Sequence, residues 1–211
     1  MYIFFDWDGV LFDIQKFKEE FRRVFVDEFK LSSEDYKNTY NRSKQTLNGV
    51  SNYVFSNHLD ILKKEFGLSG EFVRKSIFNI EMEKFLYNDV EENLRKLRNK
   101  GYKLVVLTFG SKEIQNMKID GVGIRRYFDD ILITVGDKGE VINKYVDSNQ
   151  IKESCFVDDK VENLQIVQAT NEDVKLYFMS RNCLDNIERL DNINNNFTKI
   201  CNLDEFYNKL I

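Results

Sequence analysis

Five short, continuously apolar runs constrain this chain more than any other feature: residues 2–5, 103–107, 131–135, 155–157 and 174–179. Runs of this length without polar alternation suit strands buried on both faces, as in a parallel sheet. Between the second and the fifth, the connecting segments carry helical periodicity. In residues 90–100, for example, Val90, Leu94 and Leu97 share one face, Glu91 and Glu92 occupy the first turn, and Gly101 follows as a stop. The expected fold is therefore α/β: a Rossmann-like parallel sheet with flanking helices.

One connection breaks this rhythm. The stretch between the first and second runs is far longer than a single crossover requires. It carries its own amphipathic stripes: Phe17, Phe21, Val24 and Phe25; then Phe55, Leu59, Leu62 and Phe66 before Gly67; then Val73, Ile77 and Ile80. Helices so patterned bury their faces against each other. The expected organisation is a core of residues 1–13 and 86–211 with a small all-helical domain, residues 14–85, inserted over the carboxyl ends of the strands.

Ligands of open parallel sheets bind beyond those carboxyl ends. The runs end there in reactive residues: Asp6 and Asp8 after the first, Thr108-Phe109-Gly110 after the second, Lys138 in the loop after the third, and Asp158-Asp159 after the fourth. Several carboxylates in one crevice repel strongly, about 4 kcal/mol for a pair roughly 4 Å apart at an effective dielectric of about 20. A divalent cation relieves this, and oxygen-only ligands suit Mg²⁺. The expected metal set is Asp6, Asp8, Asp158 and Asp159, with Asn163 in support. The same geometry makes Asp6 a nucleophile toward phosphorus and Asp8 the acid and base for the leaving oxygen and for water. Thr108, the amides of Phe109 and Gly110, and Lys138 would hold and neutralise the phosphoryl oxygens.

In order and spacing, Asp6-Trp7-Asp8-Gly9-Val10, Thr108-Phe109-Gly110, Lys138-Gly139 and Val157-Asp158-Asp159 resemble the four motifs of the haloacid dehalogenase (HAD) superfamily. The resemblance is to the subclass with a helical cap between the first two motifs, on its phosphatase and β-phosphoglucomutase side. It implies a Mg²⁺-dependent phosphatase acting on a small phosphorylated metabolite. The dehalogenase branch lacks the second acid of the first motif, so Asp8 speaks against dehalogenation. Within the insert, Leu47-Asn48-Gly49-Val50-Ser51-Asn52 is similar to the specificity loop of β-phosphoglucomutase. On that likeness Asn48, Gly49 and Asn52 are candidate specificity residues. Asn52 stands where the mutase has a phosphate-binding arginine, and Arg42 or Lys44 are the nearby cations that could replace it.

Two other classes compete with hydrolysis: a sugar-phosphate mutase, and a non-catalytic protein that binds a phosphorylated ligand or a partner. A bacterial receiver domain gathers similar groups, but its lysine comes last in the chain, whereas here Lys138 precedes the final acid pair. The net charge of -4 excludes a general basic field for nucleic acid, and no apolar run is long enough to span a membrane. The first motif begins so close to Met1 that no signal peptide precedes it, which gives a cytoplasmic expectation. His58, the only histidine, reads as a polar residue on a helix of the insert, and oligomeric state leaves no mark.

Overall fold

The computed structural model describes residues 1–47, 50–182 and 197–210. Strand β1 (Tyr2–Phe5) lies inside a six-stranded sheet with β4 (Lys103–Phe109), β5 (Asp130–Thr134), β6 (Ser154–Asp158), β7 (Lys175–Met179) and β8 (Thr198–Ile200), in the order β5-β4-β1-β6-β7-β8. Every pairing is parallel. Alternation along the strands divides the core in two. Ile3, Phe5, Leu104, Val106, Cys155 and Val157 pack on one face, and Phe4, Val105, Leu107 and Phe156 on the other. Helices cover both faces, as continuously apolar strands require.

The chain leaves β1 toward β4 on one side and returns through β6 to the other. A topological switch point therefore lies at the carboxyl end of β1, where open α/β sheets bind ligands. Beyond the five expected strands there is a sixth, β8. It is three residues long and buries only Ile200, so it offers too little apolar pattern to be read from sequence.

Between β1 and β4, α1 (Ile14–Arg23), α2 (Ser33–Arg42), α3 (Phe55–Phe66) and α4 (Gly70–Phe78) follow the expected stripes. Phe17, Phe21, Phe25, Phe55, Leu59, Leu62, Val73 and Ile77 are buried, while Phe66 is exposed. Asp13 caps α1 through the Lys16 amide, and Ser32 caps α2 through that of Asp35. Gly67, with φ of 66°, ends α3 in the left-handed conformation that glycine adopts without strain.

The expectation of an all-helical insert is corrected. An antiparallel hairpin, β2 (Lys44–Leu47) with β3 (Val50–Tyr53), stands between α2 and α3. Its polar sequence carries no apolar alternation, so no strand signal precedes it. Asn52 sits on β3 opposite Gln45, whereas Asn48 and Gly49 lie outside the described residues.

The chain continues through α5 (Val90–Asn99), α6 (Lys112–Gly121), α7 (Lys138–Ser148), α8 (Val161–Thr170) and the terminal α9 (Leu203–Leu210). Arg181, just past β7, ties the start of this core to the segment where the insert returns. Its Nε donates to the Val10 carbonyl at 3.0 Å, its Nη1 reaches both oxygens of Asp89 at 2.8 and 2.7 Å, and its guanidinium lies over the Tyr87 ring. Among the described residues, no helix is long and apolar enough to cross a membrane.

Candidate active site

Asp6 directly follows β1, and its amide continues the ladder to the Val157 carbonyl at 2.9 Å. That bond fixes the backbone from which the carboxylate projects. The loop then turns sharply, with Gly9 at φ of 86° donating to the Phe12 carbonyl. A Cβ on Gly9 would fall 2.2 Å from Asp159 Oδ2, so glycine is what lets the fourth motif approach the first. Asp6, Asp158 and Asp159 each present an oxygen within 4.8 Å of the others.

Lys138 opens α7, after Asp137 has capped that helix through the Glu140 amide. Its ammonium is almost completely buried, 3.0 Å from Asp6 Oδ1 and 2.7 Å from Asp158 Oδ2. Burial alone would lower its pKa, but the two carboxylates outweigh burial and hold the lysine charged, above its ordinary value. Asp158 is further satisfied by the Lys160 amide and by Asn163 Nδ2, at 3.0 and 2.9 Å from its two oxygens.

Asp159 contrasts with its neighbour: its Oδ1 is buried with no hydrogen-bond partner. Burial, then the charges of Asp6 and Asp158, push it up to about 8. Burial likewise raises Asp6, to about 6, against the pull of Lys138. An orphaned carboxylate oxygen beside two more carboxylates, in an all-oxygen donor set, fits a hard divalent cation.

Asp8 is not part of this triad. Its two oxygens lie 2.6 and 2.7 Å from the buried ammonium of Lys118 on α6, and Gln115 Nε2 is 3.2 Å away. The same Gln115 nitrogen lies 2.8 Å from both Thr108 Oγ1 and the Phe109 carbonyl. Carboxylate and carbonyl oxygens only accept, which settles this atom as the nitrogen of the amide. Thr108 Oγ1 therefore accepts from Gln115 and keeps its own proton to donate elsewhere.

The expected pairing of Asp8 with the metal acids is thus replaced by an ion pair with Lys118. Expected use of the Gly110 amide also needs correction, because that amide donates to the Thr134 carbonyl at 3.0 Å and extends the sheet. Lys118 and Gln115 match none of the four motifs, although both interrupt an otherwise apolar face of α6 with Ile114, Ile119 and Val122. A polar pair on a core-facing stripe is the signal that could have found them.

The charge count closes on a divalent ion. With a cation present to keep them ionised, Asp6, Asp8, Asp158 and Asp159 would carry four negative charges, of which Lys118 and Lys138 offset two. A cavity of about 300 Å³ opens beside these groups. Asp8, Asp159, Phe109 and Gly110 line it from the sheet side, and Phe17, Tyr40 and Tyr53 from the insert.

The family model for haloacid dehalogenase-like hydrolases matches residues 1–166. The chain belongs to the haloacid dehalogenase-like hydrolases. Among curated proteins, none matches it in sequence. Solved structures share the fold of this HAD-like hydrolase at low identity. A haloacid dehalogenase-like hydrolase of Burkholderia xenovorans is 17% identical with a TM-score of 0.77, over 98% of this chain and 96% of its own. A HAD phosphatase of Thermococcus onnurineus is 18% identical with a TM-score of 0.67, over 99% and 97%. The HAD hydrolase YfnB of Bacillus subtilis, whose structure is bound to magnesium, is 19% identical with a TM-score of 0.66, over 99% and 97%.

Proposed function

We propose that this HAD-like hydrolase is a Mg²⁺-dependent phosphatase for a small phosphomonoester, working through an aspartyl-phosphate on Asp6. The observation that carries this reading is the different partnership of the two acids of the first motif. Asp6 faces Lys138 within the metal-type triad, while Asp8 is held apart by Lys118 and Gln115. Two acids in two environments suit two roles.

Asp6 attacks phosphorus, and the leaving oxygen departs with a proton from Asp8. Asp8 then takes a proton from the water that hydrolyses the aspartyl-phosphate. The spare proton of Thr108 and the amide of Phe109 hold non-bridging oxygens, and Lys138 offsets the charge that builds on them. Asp6, Asp158 and Asp159 would hold Mg²⁺, and Asn163 keeps Asp158 oriented. When bound, the ion supplies charge neutralisation to the phosphoryl group.

We read residues 14–85 as a cap over a core of residues 1–13 and 86–211. Aromatic side chains from the insert on one wall of the cavity support this division. The mutase reading is the weaker one. A mutase has to grip a second phosphate, yet Arg42 is bonded to Glu65 through both Nη atoms, and Lys44 reaches Asn41 and lies over the Tyr40 ring.

The direct test is to assay wild type and Asp6→Asn against a panel of phosphorylated metabolites, with and without Mg²⁺. Turnover confined to wild type with Mg²⁺ supports the mechanism. Equal turnover by the variant, or turnover indifferent to metal, removes it.

A further inference from the structure

We infer that Arg181 is a positioning residue for the acid step: by gripping the Val10 carbonyl it fixes the turn that aims Asp8 at the leaving oxygen. This rests on the phosphatase reading above and adds to it a residue that touches none of the reacting groups. Asp8 belongs to a closed turn. The Leu11 and Phe12 amides both donate to the Trp7 carbonyl at 3.0 Å, and the Gly9 amide donates to the Phe12 carbonyl at 2.8 Å. Trp7, Val10, Leu11 and Phe12 are fully buried. A turn closed on itself in this way shifts as a unit, and Asp8 shifts with it. The Val10 carbonyl takes no part in that closure. It accepts instead from Arg181, through Nε at 3.0 Å and through Nη2, which uses both of its lone pairs.

The guanidinium is itself held from two further directions. Its Nη1 reaches both carboxylate oxygens of Asp89 at 2.8 and 2.7 Å, and its central carbon lies 4.1 Å from the centre of the Tyr87 ring. Asp89 also accepts from the Leu203 amide at 2.6 Å, which ties the assembly to the start of α9. A planar fork bonded to a carbonyl and a carboxylate and laid over a ring has little freedom left. Arg181 therefore carries the position of α5 and α9 to a carbonyl two residues from Asp8. Lys118 and Gln115 orient the Asp8 carboxylate from the side of α6, but the backbone of the turn sets where that carboxylate stands. The acid step needs Asp8 within hydrogen-bond reach of the leaving oxygen, and a misplacement of about 1 Å can cost on the order of 10²-fold in rate.

The test compares wild type, Arg181→Lys and the double variant Arg181→Met with Asp89→Asn. Arg181→Lys keeps a charge for Asp89 but gives up the fork, and the double variant strands no buried charge, which guards against a chain that fails to fold. Trp7, the only tryptophan, lies inside the turn and reports its mobility without any reaction. At equal folded fraction by circular dichroism, acrylamide quenching of Trp7 should rise severalfold in both variants. With Mg²⁺ present, kcat for an alkyl phosphomonoester should fall on the order of tenfold to 10²-fold with KM little changed. The p-nitrophenyl ester, whose leaving group needs no proton, should lose far less. The inference is overturned if Trp7 is quenched as in wild type, or if both esters lose activity equally, as a merely structural role would produce. Absence of any phosphomonoester turnover by wild type is a different failure: it removes the phosphatase reading and the acid step with it, while Trp7 quenching still shows whether Arg181 holds the turn.

Discussion

Lys118 Nζ sits 2.6 Å from one oxygen of Asp8 and 2.7 Å from the other, with the lysine side chain buried and the aspartate still partly open to the cavity. Lys138 makes the corresponding pairing with Asp6 and Asp158. Two buried lysines thus take three of the four acids of the site between them, and Asp159 pairs with neither. Burial lowers the pKa of Lys118, which has one close carboxylate, whereas the two around Lys138 outweigh burial and raise it.

If Lys118 holds Asp8 in place to protonate the leaving oxygen, Lys118→Met should lower kcat on the order of 10²-fold for alkyl phosphates, whose alkoxide cannot leave without a proton. A p-nitrophenyl ester needs no such proton and should lose far less. Measuring kcat across a series of leaving groups checks this. An equal loss for every ester would assign Lys118 a structural role.

Burial holds His58 down to about 4, against an ordinary value of 6.5. The unfolded chain therefore binds a proton that the folded chain refuses between those values. The neutral histidine contributes its full stability above about pH 6.5, and this is lost as pH falls toward 4. At pH 5 the loss is about 2 kcal/mol. Urea unfolding at pH 7.5 and pH 5 should show a drop of that size in wild type beyond whatever His58→Gln shows. Identical pH dependence in the two proteins would contradict the assignment.

Gly9→Ala places a methyl group against Asp159 and forces a left-handed backbone at a cost of about 1–2 kcal/mol. In wild type, Mg²⁺ at a hundred times its Kd should raise unfolding stability by about 2.7 kcal/mol. Thermal unfolding of Gly9→Ala should show a lower Tm and almost no response to Mg²⁺. A full Mg²⁺ response in the variant would separate Asp159 from the metal site.

The sequence reveals the sheet because its strands are buried on both faces and leave uninterrupted apolar runs. It hides β8, with one buried side chain, and the hairpin β2–β3, whose Lys44, Gln45 and Thr46 look like a loop. The acids of the first and fourth motifs are legible because their positions at strand ends follow from the strands themselves. Lys118 and Gln115 are not, since only the packing of α6 against the first motif turns two polar helix residues toward Asp8. Tyr40 and Tyr53 are likewise ordinary aromatic residues until α2 and β3 bring their rings into one stack beside the cavity.

The stereochemical course at phosphorus tests the central claim most directly. Each in-line displacement inverts configuration, so transfer to Asp6 followed by transfer to water restores it. Hydrolysis in ¹⁸O-water of a phosphomonoester made chiral with sulfur and ¹⁷O should give product with net retention. Net inversion would mean a single displacement by water, and Asp6 would not be the nucleophile.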